Sequence, residues 1–382
     1  MEATAPTILE IGVVLLAAAA AGWIARRIGL PAVVGYLVVG LAISPFTPGY
    51  VADREQIQLL ADVGVVLLLF EVGIEVDVAR LRREQRGLLI AGPLQLVFTA
   101  AVSGVVFVAI GIPLVGAALA GLAIALSSSV VVVNIVRSRR RTTDRATEQA
   151  MLGWSVIQDL TGVACAAGVL AVGGLAARAP AEALAGFLVY GIIVVAVARM
   201  LPRVLRRIRA EHDLFLIVSI AGGLALAGVG SVAFGLPLAL AAFVAGLAIG
   251  EDPDAAEARR RLLPFRDVFA VLFFVAIGTL IDPAALGAAL PVLGLVLVLL
   301  VAAKVGPIYV LARLLRLPAR PAQLAIGLGQ VGEFSFVLAT TALATGVIAH
   351  DLYAAILGAV AISVAGSTIL VRRIGAPAAA AA

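Results

Sequence analysis

Twenty-five of the 28 basic residues in this chain fall into seven clusters, and two long apolar runs separate each cluster from the next. The clusters are Arg26–Arg27, Arg80–Arg86, Arg137–Arg145, Arg199–Arg209, Arg259–Arg266, Arg313–Arg320 and Arg372–Arg373. A chain that leaves one face of a bilayer, crosses and returns would space its charges in this way. Cytoplasmic loops carry the Lys/Arg excess, so the clusters predict an outside N-terminus and an inside C-terminus. Only Arg54 and Arg178 fall on the opposite face. The apolar runs predict thirteen spans, at 7–25, 31–46, 57–76, 87–111, 114–136, 147–174, 183–202, 213–233, 237–250, 267–282, 286–312, 321–346 and 351–371. Charged residues make up 13% of the chain against about 25% in soluble domains, so an all-α polytopic membrane protein is expected. The net charge of +5 is then a topology signal, and no nucleic-acid partner is expected. At about 20 residues per span the runs use up the chain, which leads us to expect no appended cytosolic domain. The first run has no basic residue before it, unlike a cleaved leader. The single cysteine, Cys165, excludes a disulfide framework. His212 and His350, expected in loops, offer no His-rich metal site.

The two halves of the chain echo each other. Residues 31–43, PAVVGYLVVGLAI, match 237–249, PLALAAFVAGLAI, at an offset of 206. Residues 67–77, LLLFEVGIEVD, match 272–282, LFFVAIGTLID, at an offset of 205. Seven spans separate each pair, an odd number, so the halves would face opposite ways, as in the inverted repeats of secondary transporters. The expected division is a first repeat over 7–174, a linker helix over 183–202 and a second repeat over 213–372. Chance likeness between Gly/Ala/Leu-rich spans is the competing explanation.

Polar interruptions fall at matched places in both halves. Ser127, Ser128 and Ser129 interrupt the run 114–136, and the offset of 205 carries Ser128 onto Glu333, within GLGQVGEFSF, which also holds Gln330 and Gly332. Open backbone at membrane depth is tolerated only where it is buried in protein or lines a cavity. Half-helix ends in such places expose groups that bind ions. The matched pair therefore predicts two discontinuous helices. The plainer alternative is serines bonding back to their own helix and glycines allowing close packing.

Charge at mid-membrane costs about 2.5–3.5 kcal/mol per residue on insertion scales. Three residues stand out on that ground: Asp159, beside Gln158; Lys304, the only lysine; and Glu333. Asp159 and Lys304 could form a static buried pair, which would add little net stability. Glu333 could either offset positive half-helix ends or touch an ion. Asp62, Glu71, Glu75 and Asp77 are weaker candidates, expected to reach the interface or pair with nearby arginines, with an ion funnel at Glu71 and Glu75 as the sharper alternative. Cys165 and both tryptophans read as packing residues, and Gly92–Pro93 and Gly306–Pro307 as kinks. A lone carboxylate beside an amide can hold a proton or a small desolvated cation, but not both. Gln158, serine hydroxyls and freed carbonyls are hard oxygen ligands suited to Na⁺ or K⁺. If such a site opened alternately to the two faces it would be an antiporter, and it needs no cofactor.

Six segments together, GYLVVGLAISP (35–45), VGVVLLLFEVGIEVD (63–77), ALSSSVV (125–131), SVIQDLTGV (155–163), FFVAIGTLID (273–282) and GQVGEFSFVL (329–338), resemble the monovalent cation:proton antiporters of the Kef and NapA type. The resemblance covers essentially the whole chain. It implies a thirteen-helix NhaA/NapA-like fold, with a dimerisation domain and a six-helix core in which two broken helices cross. It also implies that Asp159 carries the cation and the proton, and that Lys304 is the core lysine thought to pair with it. Where some members have a first of two aspartates this chain has Gln158, which turns the expectation from electrogenic Na⁺/H⁺ exchange toward electroneutral K⁺(Na⁺)/H⁺ exchange. Kef-type proteins usually add a nucleotide-binding domain; none is expected here, so glutathione gating is not expected either. Relatives also suggest a separately encoded cytosolic regulatory subunit as a partner. The expectation is thus a homodimeric antiporter in a bacterial inner membrane, with one monovalent cation at Asp159. A gated potassium channel is the rival, though one carboxylate with an opposing lysine makes a poor filter. An intramembrane enzyme is set aside: no histidine lies near the site, there is no HExxH, and no second aspartate lies at depth.

Overall fold

Hydrocarbon leaves a backbone no water to bond, so it must satisfy its own polar groups. The chain does this with helices. The computed structural model describes residues 5–28, 30, 32–47, 54–75, 86–136, 143–174, 180–208, 211–236, 238–250 and 255–374. In order, the helices are α1 (Ala5–Arg27), α2 (Ala32–Ala42), α3 (Arg54–Glu75), α4 (Arg86–Ala109), α5 (Leu114–Ala125), α6 (Ser129–Val136), α7 (Arg145–Val172), α8 (Pro180–Arg207), α9 (His212–Phe234) and α10 (Leu238–Ile249). They continue with α11 (Ala255–Thr279), α12 (Pro283–Ala288), α13 (Leu290–Leu299), α14 (Gly306–Leu314), α15 (Pro321–Gly327), α16 (Glu333–Ala344) and α17 (His350–Ile374). A π-helical turn, Leu300–Val305, joins α13 to α14.

Each of the thirteen apolar runs is helical over most of its described residues. The run 114–136 is divided into α5 and α6, and the run 321–346 into α15 and α16. Among the described residues seven helices are long and apolar enough to cross a membrane. The others are shorter or more polar: α2 has 11 residues and α10 has 12, about 17 Å at 1.5 Å per residue. Both histidines stand at the first residue of a helix, His212 on α9 and His350 on α17, instead of in the expected loops. Of the expected kinks, Gly92–Pro93 lies within the single helix α4, while Gly306–Pro307 follows directly on the π turn.

The helices gather into two bundles. One joins α1–α3 with α8–α11, through close packing of α3 on α10 and α11 and of α2 on α1 and α11. The other joins α4–α7 with α12–α17, and α17 meets α2 at the seam. In the first bundle two pairs of helices cross at backbone contact. A Cβ on Gly40 would stand 2.0 Å from the Val275 carbonyl oxygen and 2.7 Å from the Gly278 Cα. A Cβ on Gly246 would stand 2.1 Å from the Phe70 carbonyl oxygen and 2.9 Å from the Gly73 Cα. These four glycines are the positions that the sequence offsets pair: Gly40 with Gly246, and Gly73 with Gly278. The α2–α11 crossing and the α10–α3 crossing are therefore counterparts.

Near one end of α3, Glu71 is fully buried, and its carboxylate is clasped by Arg259 and by Arg266, whose Nη1 lies 2.8 Å away, both on α11. It thus has arginine partners, as expected, but they come from the other half of the chain. The Glu75 side chain and Asp77 lie outside the described residues. Asp62 accepts a 2.8 Å bond from Gln58, one turn before it on α3. At the N-terminus of α7, Asp144 accepts from the backbone N–H and hydroxyl of Thr147 at 2.8 and 3.1 Å and pairs with Arg320 at 2.9 Å. Partial burial pushes this carboxyl up, but those bonds and the Arg320 charge outweigh it and hold its pKa below the ordinary value.

Two predictions follow from these contacts. Gly40→Val and Gly246→Val should each lower thermal stability by about 1–3 kcal/mol, the usual cost of overpacking, whereas Gly168→Ala, with nothing within 4 Å of the new Cβ, should not. Thermal unfolding of the purified variants checks this. For Asp144, a depressed folded pKa means a stabilisation present above the unfolded value of about 3.9 and lost as pH falls through the folded one. Asp144→Asn should therefore flatten the acid limb of the Tm–pH curve below about pH 4.

Candidate functional site

Helix α5 stops at Ala125 because Leu126 turns extended (φ −79°, ψ 138°). An interrupted helix leaves carbonyls without intrahelical donors, and here nearly every one of them is met. The last i→i−4 bond is Leu126 N to Leu122 O at 3.2 Å; beyond it, Ala123 O accepts from the Ser335 hydroxyl. Ile124 O and Leu126 O take Lys304 Nζ at 3.1 and 2.8 Å. The chain re-enters helix at Ser129 with Ser128 as cap: its hydroxyl accepts from Val131 N at 3.2 Å and its carbonyl from Val132 N at 3.0 Å, the N-cap arrangement.

The second break, 328–332, crosses the first. Gly332 N donates to Leu126 O at 3.1 Å, and Ser127 Oγ donates to Leu328 O at 2.6 Å. The Gln330 amide behaves as a third strand of backbone: its Oε1 accepts from Ser128 N at 2.8 Å and its Nε2 donates to Ser128 O at 3.0 Å. A Cβ on Gly332 would lie 2.5 Å from the Ser127 carbonyl, so only glycine allows this approach. From α17, Ser363 accepts from Val331 N at 3.0 Å and Ser367 donates to Ile326 O at 2.8 Å. The serines thus join one break to the other, which is the broken-helix alternative of the two that the sequence left open.

Lys304 binds both breaks at once. Its Nζ donates to Ile124 O, Leu126 O and, at 2.6 Å, Gln330 O. An ammonium has three donors, and three carbonyls take them. The side chain is fully buried, at the negative ends of two half-helices where a cation is favoured. Its hydrogen bonds are thus spent on the carbonyls of the crossover.

Asp159 and Gln158 sit on α7, 2% and 0% exposed. Ser129, first residue of α6, donates to Asp159 Oδ2. Gln158 Nε2 donates to Gln95 Oε1, while its own Oε1 is buried with no hydrogen-bond partner among the described residues. Of the predicted site residues, Ser127, Ser128, Ser129, Gln330, Gly332 and Lys304 meet at the crossover, and Asp159 joins them through Ser129. Glu333 opens α16 immediately after the second break; its side chain lies outside what is described. A narrow apolar cleft adjoins the crossover, with Ser128 and Gly332 in its wall beside Phe273, Phe274, Ile277 and Phe336. Asp159 is not among its lining residues.

Residues unmarked by the sequence reading also take part. Gln95 and Thr99, one turn apart on α4, are fully buried and link Gln158 to the π turn. Trp154, read as packing, is fully buried and also donates its indole N–H to Gln95 Oε1 at 3.4 Å. The available signal was a glutamine and a threonine four residues apart on an apolar helix.

Residues 13–375 match the family described as "Sodium/hydrogen exchanger, transmembrane". The chain is 31% identical over 360 residues to the protein named "Putative cation/proton antiporter YbaL" in Escherichia coli (strain K12), covering 90% of this chain and 64% of that protein's length. The fold matches the structure of the sodium proton antiporter MjNhaP1 from Methanocaldococcus jannaschii with a TM-score of 0.71 at 18% identity, over 98% of this chain and 99% of the other.

Removing the ammonium strands three buried carbonyl contacts, so Lys304→Met should cost about 3–5 kcal/mol of stability, the range for an uncompensated buried partner. Lys304→Arg should recover only part of this, because a planar fork cannot reproduce a compact three-donor ammonium. Thermal unfolding in detergent, at matched purity, measures both.

Proposed function

The chain belongs to the sodium/hydrogen exchanger family, a family of transporters and not of enzymes, and from that premise we propose that it exchanges K⁺ or Na⁺ for H⁺ electroneutrally at Asp159, by alternating access. One observation carries the reading. Among the described residues, a single carboxylate lies at the crossing of two broken helices, and the residue before it on α7 carries a buried amide oxygen with no hydrogen-bond partner there. Protonated Asp159 releases its proton on one face and takes up the cation there. The Asp159 carboxylate, Gln158 Oε1 and Ser129 Oγ supply hard oxygen ligands. Lys304 keeps the crossover closed while its charge balances the empty carboxylate.

Charge counting supports electroneutrality. The Asp159–Lys304 pair sums to zero when empty, and either a proton or a monovalent cation raises it by one. Both loaded forms carry the same charge, so the membrane potential acts equally on the two crossings and cancels over the cycle. The wider arrangement belongs to the same proposal. It comprises thirteen spans in two inverted repeats, 7–174 and 213–372, around a linker at 183–202, with the N-terminus outside and the C-terminus in the cytoplasm. It further comprises a homodimer in a bacterial inner membrane, open to a separate cytosolic regulatory subunit. The counterpart glycine crossings of α2–α11 and α10–α3 support the inverted repeat.

Proton movement in proteoliposomes after addition of K⁺ or Na⁺ tests the site. Wild type should respond and Asp159→Asn should be silent, with the K⁺/Na⁺ ratio naming the cation. If Asp159→Asn exchanges as well as wild type, the carboxylate is structural and the proposal falls. Imposing a membrane potential should leave the exchange rate unchanged, and net exchange driven by potential alone would show an electrogenic stoichiometry instead.

A further inference from the structure

The hydrogen bonds around Gln158 form a chain whose direction is fixed at both ends. Pro307 has no N–H to offer the carbonyl four residues before it, and that carbonyl, Ala303 O, accepts instead from Thr99 Oγ1 at 2.6 Å. The Thr99 hydrogen is thereby committed, so its oxygen can only accept, and it does so from Gln95 Nε2 at 2.9 Å. With its NH₂ turned to Thr99, Gln95 must present Oε1 on the other side. There the Trp154 indole, which can only donate, meets it at 3.4 Å. The same Oε1 also faces Gln158, so Gln158 must offer its NH₂, which leaves the Gln158 oxygen as the free end. Thr99, Gln95, Gln158 and Trp154 are all 0% exposed, so no solvent competes for these bonds.

We propose that Thr99, Gln95 and Trp154 are positioning residues that lock the Gln158 amide with its oxygen, and not its nitrogen, available to the transported cation. A glutamine side chain is close to symmetric in shape, and its two ends differ mainly in polarity. Turned over, it would present two N–H donors, which repel a cation. The relay removes that alternative before an ion arrives, and it does so without a charged group. The inference rests on the reading of Gln158 Oε1 as an ion ligand and adds what holds it in place.

The test is the apparent KM for K⁺ and for Na⁺ in proteoliposomes, set against the maximal rate, for Gln95→Met, Thr99→Val and Gln158→Leu and for Gln95→Met combined with Gln158→Leu. In Gln95→Met and Thr99→Val, loss of the ligand's orientation should raise KM by about tenfold, the scale of one hydrogen-bonding interaction with a charge, with the maximal rate held within about twofold. Gln158→Leu should raise KM, and Gln95→Met should add nothing on that background. If Gln158→Leu leaves KM unchanged, the ligand reading itself fails and the relay with it. If Gln158→Leu raises KM but Gln95→Met leaves it unchanged, or raises it equally in both backgrounds, the relay alone is overturned. Trp154→Phe keeps the ring and removes the donor, so it carries the same comparison where a core variant does not fold.

Discussion

An ammonium seated on three backbone carbonyls is the contact on which the rest of this molecule depends. Two interrupted helices in hydrocarbon expose peptide groups that no lipid can satisfy, and each unmet group costs several kcal/mol. Lys304 answers three of the acceptors at one point and draws them from both breaks. Gln330 and the serines answer the rest of the crossing by imitating backbone. Once the crossing holds, Ser129 stands at the start of α6 with its hydroxyl on Asp159, and the carboxylate has a fixed address. The same positive charge that closes the break offsets the carboxylate's field. Structure and electrostatics are therefore not separable here: a neutral residue in place of Lys304 would alter both.

The two bundles are built by different means. In the first, helices meet at glycine, backbone against backbone, with arginines of α11 clasping Glu71 of α3. Such contacts leave little to rearrange, and they suit a frame. The second bundle is held by directional bonds between short helix pieces, and it contains every residue of the candidate site. Between them, at the crossover, lies a seam walled by Phe273, Phe274 and Ile277 on one side and by Phe336, Leu357, Val360 and Val364 on the other. Apolar faces of this kind can shift past each other without breaking hydrogen bonds, as the proposed alternating access requires.

Much of this was legible in the sequence because membrane insertion writes directly into composition. The apolar runs located the helices, and the serine and glycine interruptions located the breaks. Even the glycine crossings lie on the offsets at which the halves match. What escaped the sequence was partner choice. Nothing local tells whether Lys304 spends its hydrogens on a carboxylate or on carbonyls, since the decision belongs to helices 180 residues away. Gln95 and Thr99 look like tolerated polar residues until α7 and the π turn are brought alongside. The π turn itself was only a Gly–Pro in the run, and its sixth residue gave no sign. Glu71 likewise found its arginines 188 and 195 residues further on.

The cleft beside the crossover has a further consequence, in terms of wetting. Ser128 and Gly332 are the wall residues without a large carbon surface, and the gap between the walls is too narrow for more than about one water. A water entering there gives up hydrogen bonds it cannot recover, so the gap resists wetting while its walls stand this close. Hydrophobic constrictions close by dewetting in the same way. The barrier to a hydrated ion on that side is then the cost of wetting an apolar gap, set by how far the two walls stand apart, and it needs no side chain to swing across the path.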